Sequence, residues 1–151
     1  MTNNKISIEP LTVSACLLGH CTRYDGGSSA SAEVAELVKG RTTIPVCPEE
    51  LGGLPTPRPK AWLRGGGGGD VIEGRARVID ENGKDVTNAF INGAKETLKI
   101  MRQNASTTAY LKEKSPSCGV TITTIDGQPT TNNGVTAALL IMNGITVRGF
   151  F

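Results

Sequence analysis

Three cysteines stand where apolar runs give way to turns. Cys16 lies in V-S-A-C-L-L-G, Cys47 in I-P-V-C-P-E-E, and Cys118 follows the Ser-Pro-Ser turn of L-K-E-K-S-P-S-C-G-V. Pro116 fixes its own φ and biases Ser115 toward an extended conformation, while Gly119 gives the turn room, so Cys118 belongs to a stiff loop rather than a packing face. Thiols presented in this way are candidates for metal ligands or nucleophiles; the competing reading is three small buried hydrophobes. The Ser, Pro, Glu and Gly neighbours argue against that second reading. The paired C-x-x-C knuckles of a structural zinc site are missing, and the single histidine, His20, sits on a Gly-rich loop, which gives a Cys-His nucleophile little support. Iron-sulfur clusters are held by thiolates, and three cysteines on a cubane leave one iron open to a sulfur or oxygen atom of a substrate.

The segments around these cysteines read as strands alternating with helices. Ile6 to Leu18 becomes continuously apolar toward its end, and Ser31 can cap a helix carrying Val34, Leu37 and Val38. Thr42 to Val46 is short and β-branched. Between Pro48 and Asp70 periodicity disappears, and the prolines 55, 57 and 59, Trp62 and the run Gly65 to Gly69 suggest a long irregular loop with a flexible lid. Val71 to Ile79 alternates before an E-N-G-K turn. Phe90, Ile91, Ala94, Leu98 and Met101 then form one helical stripe that Asp85 or Thr87 can cap. Thr107 to Leu111 is a strand, Val120 to Ile125 another before a D-G turn, Asn133 can cap a last helix, and Ile145 to Val147 closes the chain. This order predicts an α/β class protein: a single compact Rossmann-like domain over 1–151, with a mainly parallel sheet, helices on both faces and a small inserted β-hairpin region. In such sheets ligands bind beyond the carboxyl ends of strands, where all three cysteines fall.

Composition removes several function classes. A net charge of +2 with no Lys/Arg run gives no electrostatic case for duplex nucleic acid, although a small anionic substrate stays open. The N-terminus lacks an apolar signal region and no run approaches membrane-spanning length, so the expectation is a cytoplasmic protein without membrane contact. Four cysteines in that reducing compartment are not expected to pair as disulfides. The oligomeric state is not legible here.

Taken together, V-S-A-C-L-L-G, C-T-R-Y-D-G, P-V-C-P-E-E-L-G-G-L-P-T-P-R, G-R-A-R-V, K-E-K-S-P-S-C-G and N-G-V-T-A-A-L-L, in this order over nearly the whole chain, resemble the thiouracil desulfurase family. The resemblance implies a 4Fe-4S cluster on Cys16, Cys47 and Cys118, with Cys21 outside the set as a supporting or structural thiol. It implies non-redox desulfuration of a small thiolated pyrimidine, 2- or 4-thiouracil or the nucleoside monophosphate, to uracil and hydrogen sulfide, the sulfur being taken up by the open iron. Glu49, tethered two residues after Cys47, is then the candidate general acid/base, and Ser115 the hydroxyl that orients water or ring. Ser117, Arg23, Tyr24 and Arg58 are candidates for holding the substrate. Two readings of other classes compete: a metal-binding or redox-sensing module without turnover, which needs neither Glu49 nor Ser115, and desulfuration of thiolated tRNA, which the missing basic patch disfavours.

Overall fold

The structure, a computed structural model, describes residues 9–151. The stretch expected to be a strand from Ile6 therefore falls partly outside the described residues. Within them, β1 (Leu11–Ser14) runs into a 3-10 turn (Ala15–Leu18), followed by α1 (Ala32–Leu37), β2 (Thr43–Val46) and α2 (Pro48–Leu51). Next come β3 (Ala61–Arg64), α3 (Gly68–Ile72), β4 (Arg77–Asp80) and the long α4 (Thr87–Gln103). The chain finishes with β5 (Thr108–Lys112), β6 (Ile122–Ile125), β7 (Gln128–Thr131), α5 (Val135–Met142) and β8 (Thr146–Phe150).

Four of the strands form an all-parallel sheet in the order β2-β1-β5-β8, flanked by helices, as the alternation of strands and helices dictates. Its strands are short and its two central members, β1 and β5, carry the buried Leu11, Val13, Ala109 and Leu111. The inserted hairpin proves to be part of a second four-stranded sheet, β4-β3-β6-β7. There β3 pairs antiparallel with β4 and parallel with β6, and β6 turns back on β7 through Asp126 and Gly127, both at positive φ as a two-residue hairpin turn requires.

Helix α4 joins the two sheets. Its apolar stripe is buried as its spacing requires: Phe90 and Ala94 pack in the cluster with Leu63 and Val78 of the second sheet, while Leu98 and Met101 pack with Ala109 and Leu111 of the first. Ser31 accepts the Val34 amide at 3.1 Å and caps α1 as its sequence suggests, whereas neither Asp85 nor Thr87 takes the cap position of α4: that falls to Val86, and Asp85, one residue further out, accepts the Thr87 amide at 2.9 Å. Phe150 is buried against Tyr110, with ring centroids 4.9 Å apart, whereas Phe151 is exposed.

Further expectations change. The region from Pro48 to Asp70 is not an irregular loop: it holds α2, β3 and the start of α3. Gly65 to Gly69 is not a lid, because Gly68 is a buried residue of α3 and a Cβ there would collide with the Gly134 carbonyl at the start of α5. Glycine serves there to let two helices approach. Val71 and Ile72 likewise belong to α3, so the strand begins only at Arg77. Nor does Asn133 cap α5. Gly134 occupies that position, and the Asn133 amide donates to the Val120 carbonyl at 2.6 Å.

The loop from Glu113 to Ile122, which carries Cys118, is fastened from two sides. Glu113 continues the inward face of Ala109 and Leu111, and its buried carboxylate accepts the amides of Val120, Thr121 and Ile122 and the Thr121 hydroxyl at 2.8–3.2 Å. From the other side, the first amides of α5 have no partners within the helix. Val135 and Thr136 instead donate to the carbonyls of Pro116 and Ser117, both at 2.9 Å, and Gly134 donates to Gly119 at 2.8 Å. Glu113→Gln turns an NH2 group toward several amides and should cost roughly 2–4 kcal/mol in denaturant unfolding, with faster hydrogen exchange confined first to residues 120–122. A second test concerns α2. A Cβ on Gly93 of α4 would run into the Pro48 carbonyl of α2, so Gly93→Ala should destabilise by about 1–3 kcal/mol and displace the segment carrying Cys47 and Glu49. Unchanged stability in either variant would refute the corresponding contact.

Candidate active site

A cavity of ≈ 330 Å³ lies beyond the carboxyl ends of β1, β2 and β5. Its wall includes Cys16 from the 3-10 turn, Cys47 at the end of β2 and Cys118 from the loop after β5. All four cysteines of the chain are free thiols; Cys16 and Cys118 are buried and Cys47 is half-buried. Cys21 is exposed and does not line this cavity.

Each thiol is placed by a different local device. Cys16 sits in a 3-10 turn that Gly19 closes at φ +96°, and its carbonyl accepts the amides of Gly19 and Ser29. Cys47 precedes Pro48, the first residue of α2, where a proline is tolerated because that amide has no helical partner. For Cys118 the anchor is Ser115, whose hydroxyl oxygen accepts the amides of Ser117 at 3.1 Å and Cys118 at 2.9 Å.

Glu49 lines the same cavity and meets Arg58 at 3.5 Å, in a pair whose side chains are only 14% and 4% exposed. Arg58 is not the solvated arginine its place between two prolines suggests. Its guanidinium donates to the Thr22 carbonyl at 2.9 Å, to the Thr56 hydroxyl at 2.7 Å and, longer, to Cys47 Sγ at 3.9 Å. It therefore ties a carboxylate and a thiol to one buried cation. Glu50, by contrast, is exposed, and its carboxylate accepts the Thr56 hydroxyl.

Burial sets the electrostatics. It pushes the thiols of Cys16, Cys47 and Cys118 up, with neighbouring acidic groups adding to the effect. Burial also raises Glu49 above the usual carboxylate range, against the pull of Arg58. Lys112, beside Cys16, is pushed down by the same desolvation.

Of the other residues expected here, Arg23 and Tyr24 line the cavity, Arg23 being held by the Ser29 hydroxyl at 3.1 Å. Ser117 does not. It is fully buried and shares a hydrogen bond of 2.8 Å with the Thr136 hydroxyl, so it anchors the Cys118 loop to α5 and does not face a substrate. Sequence reasoning missed Lys60, Trp62 and Thr124, which come from or beside the second sheet; Lys112 and Lys114 line the cavity from the end of β5 and the loop after it. It also missed Glu113, although a carboxylate in phase with Ala109 and Leu111 on a strand is a readable sign of a buried acid.

Three sulfur donors around one cavity suit a thiophilic metal. Among the described residues no three His, Cys, Asp or Glu converge as ligands of a single ion. Thiolates are also the ligands of iron-sulfur clusters, in which each one takes a different metal atom.

Comparison with known proteins agrees. The family model described as 2-thiouracil desulfurase matches residues 11–149. An uncharacterized protein of Bacillus subtilis (strain 168), YbbK, is 41% identical over 140 residues, which is 91% of this chain and 93% of the relative. Among solved structures, the [4Fe-4S]-dependent thiouracil desulfidase TudS is 40% identical with a TM-score of 0.79, covering 93% of this chain and 90% of that one. A family match over almost the full described length, together with two relatives near 40% identity, leaves one conclusion: the chain belongs to the 2-thiouracil desulfurase family.

Proposed function

We propose that this protein removes sulfur from a thiolated uracil by hydrolysis, with Cys16, Cys47 and Cys118 holding a 4Fe-4S cluster. The observation that carries the reading is the meeting, in one cavity, of three thiols from three separate strand ends with a carboxylate and a hydroxyl. A cluster with three cysteine ligands supplies, when bound, an open thiophilic iron that polarises the carbon-sulfur bond. The remaining work falls to the chain. Glu49 takes a proton from the attacking water and returns one to the departing sulfur, so that thiocarbonyl plus water becomes carbonyl plus hydrogen sulfide with no net change of oxidation state. Its raised proton affinity suits a group that must both accept and donate. Arg58, held by Thr22 and Thr56, fixes that carboxylate in the cavity wall.

Ser115 accepts two backbone amides, which leaves its own proton to donate to water or to a ring oxygen. Arg23 and Tyr24 form the rim. Charge favours an anionic substrate: with Arg23 and Lys112 set against the Cys16 thiol, Lys60 and Lys114 remain on the cavity wall, while Glu49 is paired and Glu113 is occupied by amides. A nucleoside monophosphate is therefore the better substrate and the free base the simpler probe. Among the described residues no helix is long and apolar enough to cross a membrane, and free thiols suit the reducing cytoplasm.

The test is iron and acid-labile sulfide per chain after oxygen-free reconstitution, then 4-thiouracil and a sulfide assay in the same tube. The expected result is about four irons per chain and release of hydrogen sulfide. Cys118→Ala should lose iron and activity together. Glu49→Gln should keep its iron and lose about 10²- to 10⁴-fold in turnover. Iron without sulfide release would favour sensing, and full activity in Glu49→Gln would remove that residue from the mechanism.

A further inference from the structure

We propose that Trp62 is the platform on which the pyrimidine ring stacks, and that the second sheet is the specificity wall of the cavity. This rests on the desulfuration reading above. The chain has few aromatic residues, 4% of its length, and a single tryptophan. That tryptophan and Tyr24 are the aromatic residues of the cavity wall. The others are placed elsewhere: Phe90 is buried in the core, Tyr110 and Phe150 pack on each other, and Phe151 is the exposed C-terminal residue.

Trp62 is held on a strand. Its backbone pairs with Ile79 of β4, and the register of Leu63 with Ile125 sets it beside Thr124 of β6. Thr124 lines the cavity too, and so does Lys60, two residues earlier and hence on the same face of the chain. The indole is half-buried, supported by the sheet and open to the cavity. Tyr24 is the weaker candidate. It belongs to an irregular segment, and the Arg23 guanidinium already lies 6.0 Å from its ring centroid. Among the described residues no aromatic ring or cation is paired with the Trp62 ring.

A uracil ring offers two flat faces and a rim of carbonyl or thiocarbonyl groups. The thiols, Glu49 and Ser115 come from the parallel sheet and the loops beyond its strand ends, and they address the rim. A flat face needs a flat partner, and base-on-aromatic stacking is tolerant of ring substituents. Trp62 supplies that partner from the second sheet, binding ring and product alike without touching the bond that breaks.

The experiment is calorimetric titration of reconstituted protein with uracil, run beside steady-state desulfuration of 4-thiouracil, for the wild type and for Trp62→Ala, Trp62→Leu and Trp62→Phe. The alanine and leucine variants should weaken uracil binding and raise KM by roughly ten- to hundred-fold, with kcat within about two-fold and iron content unchanged. The phenylalanine variant should recover most of the affinity. Leucine fills the space without a π face, so recovery by phenylalanine alone separates stacking from mere support of the sheet. Uracil binding equal to wild type in the leucine variant, or absent in the wild type, overturns the proposal. Uracil binding that depends on Trp62 without any sulfide release upholds the platform and overturns the desulfuration reading instead.

Discussion

Desolvation is the constraint on which this site depends. Cys16, Cys47, Cys118 and Glu49 carry negative charge when ionised, they share one cavity, and burial pushes all four toward their neutral forms. Cations must come close to offset that cost. Arg58 does so for Glu49 and Cys47, Lys112 and Arg23 for Cys16. A buried arginine is itself expensive unless its donors are satisfied, and here the Thr22 and Pro55 carbonyls and the Thr56 hydroxyl satisfy them. The proline-rich stretch before β3 therefore has an electrostatic purpose. It carries a guanidinium inward and supplies part of its solvation.

The rest of the fold can be read as the means of holding those groups at their distances. Each of the three cavity cysteines is anchored to a different element: a 3-10 turn, the cap position of α2, and a loop pinned by Glu113 and by the start of α5. Backbone contacts then join the anchors to the core. Gly52 and Gly93 let α2 lie directly on α4, Gly68 lets α3 lie on α5, and Gly134 lets the start of α5 lie on the Cys118 loop at Pro116 and Ser117, in each case where a methyl group would strike a carbonyl or a peptide carbon. Displacing α2 or α5 moves a segment that carries a thiol. Stability and site geometry are consequently one problem in this protein, because packing that fails at a glycine is felt at the cavity wall.

What could be read in the sequence follows the same physics. The strand ends at Cys16, Cys47 and Cys118 were legible because apolar runs stop abruptly at turn-forming residues, and α4 was legible because four and a half turns give a stripe time to repeat. The stretch between Pro48 and Asp70 was not. Its elements are four or five residues long, too short for a period to show, and its glycines signal close approach as readily as mobility. β7 escaped notice because Q-P-T-T is a mostly exposed edge with no apolar alternation. For Asn133 and Ser117 the local preference was overridden by tertiary contacts: one amide is drawn to Val120, and one hydroxyl to Thr136. Arg58 is the sharpest case. Only the three-dimensional meeting of Thr22, Glu49 and Cys47 around its guanidinium explains why it is buried.

The two-sheet construction separates tasks that many sites combine. Carboxyl ends of a parallel sheet are a general place for chemistry, since loops leave there and orphan backbone groups are available. In this chain they contribute sulfur, carboxylate and hydroxyl. The second sheet, linked to the first through the α4 core, contributes side chains from a flat strand face, and its register is fixed by two neighbours of β3 rather than by a loop. A wall of that kind can change its side chains at Lys60, Trp62 or Thr124 without altering the backbone that carries the thiols. Substitution there reshapes the cavity wall, while the thiols, Glu49 and Ser115 stay on elements built around their own desolvation.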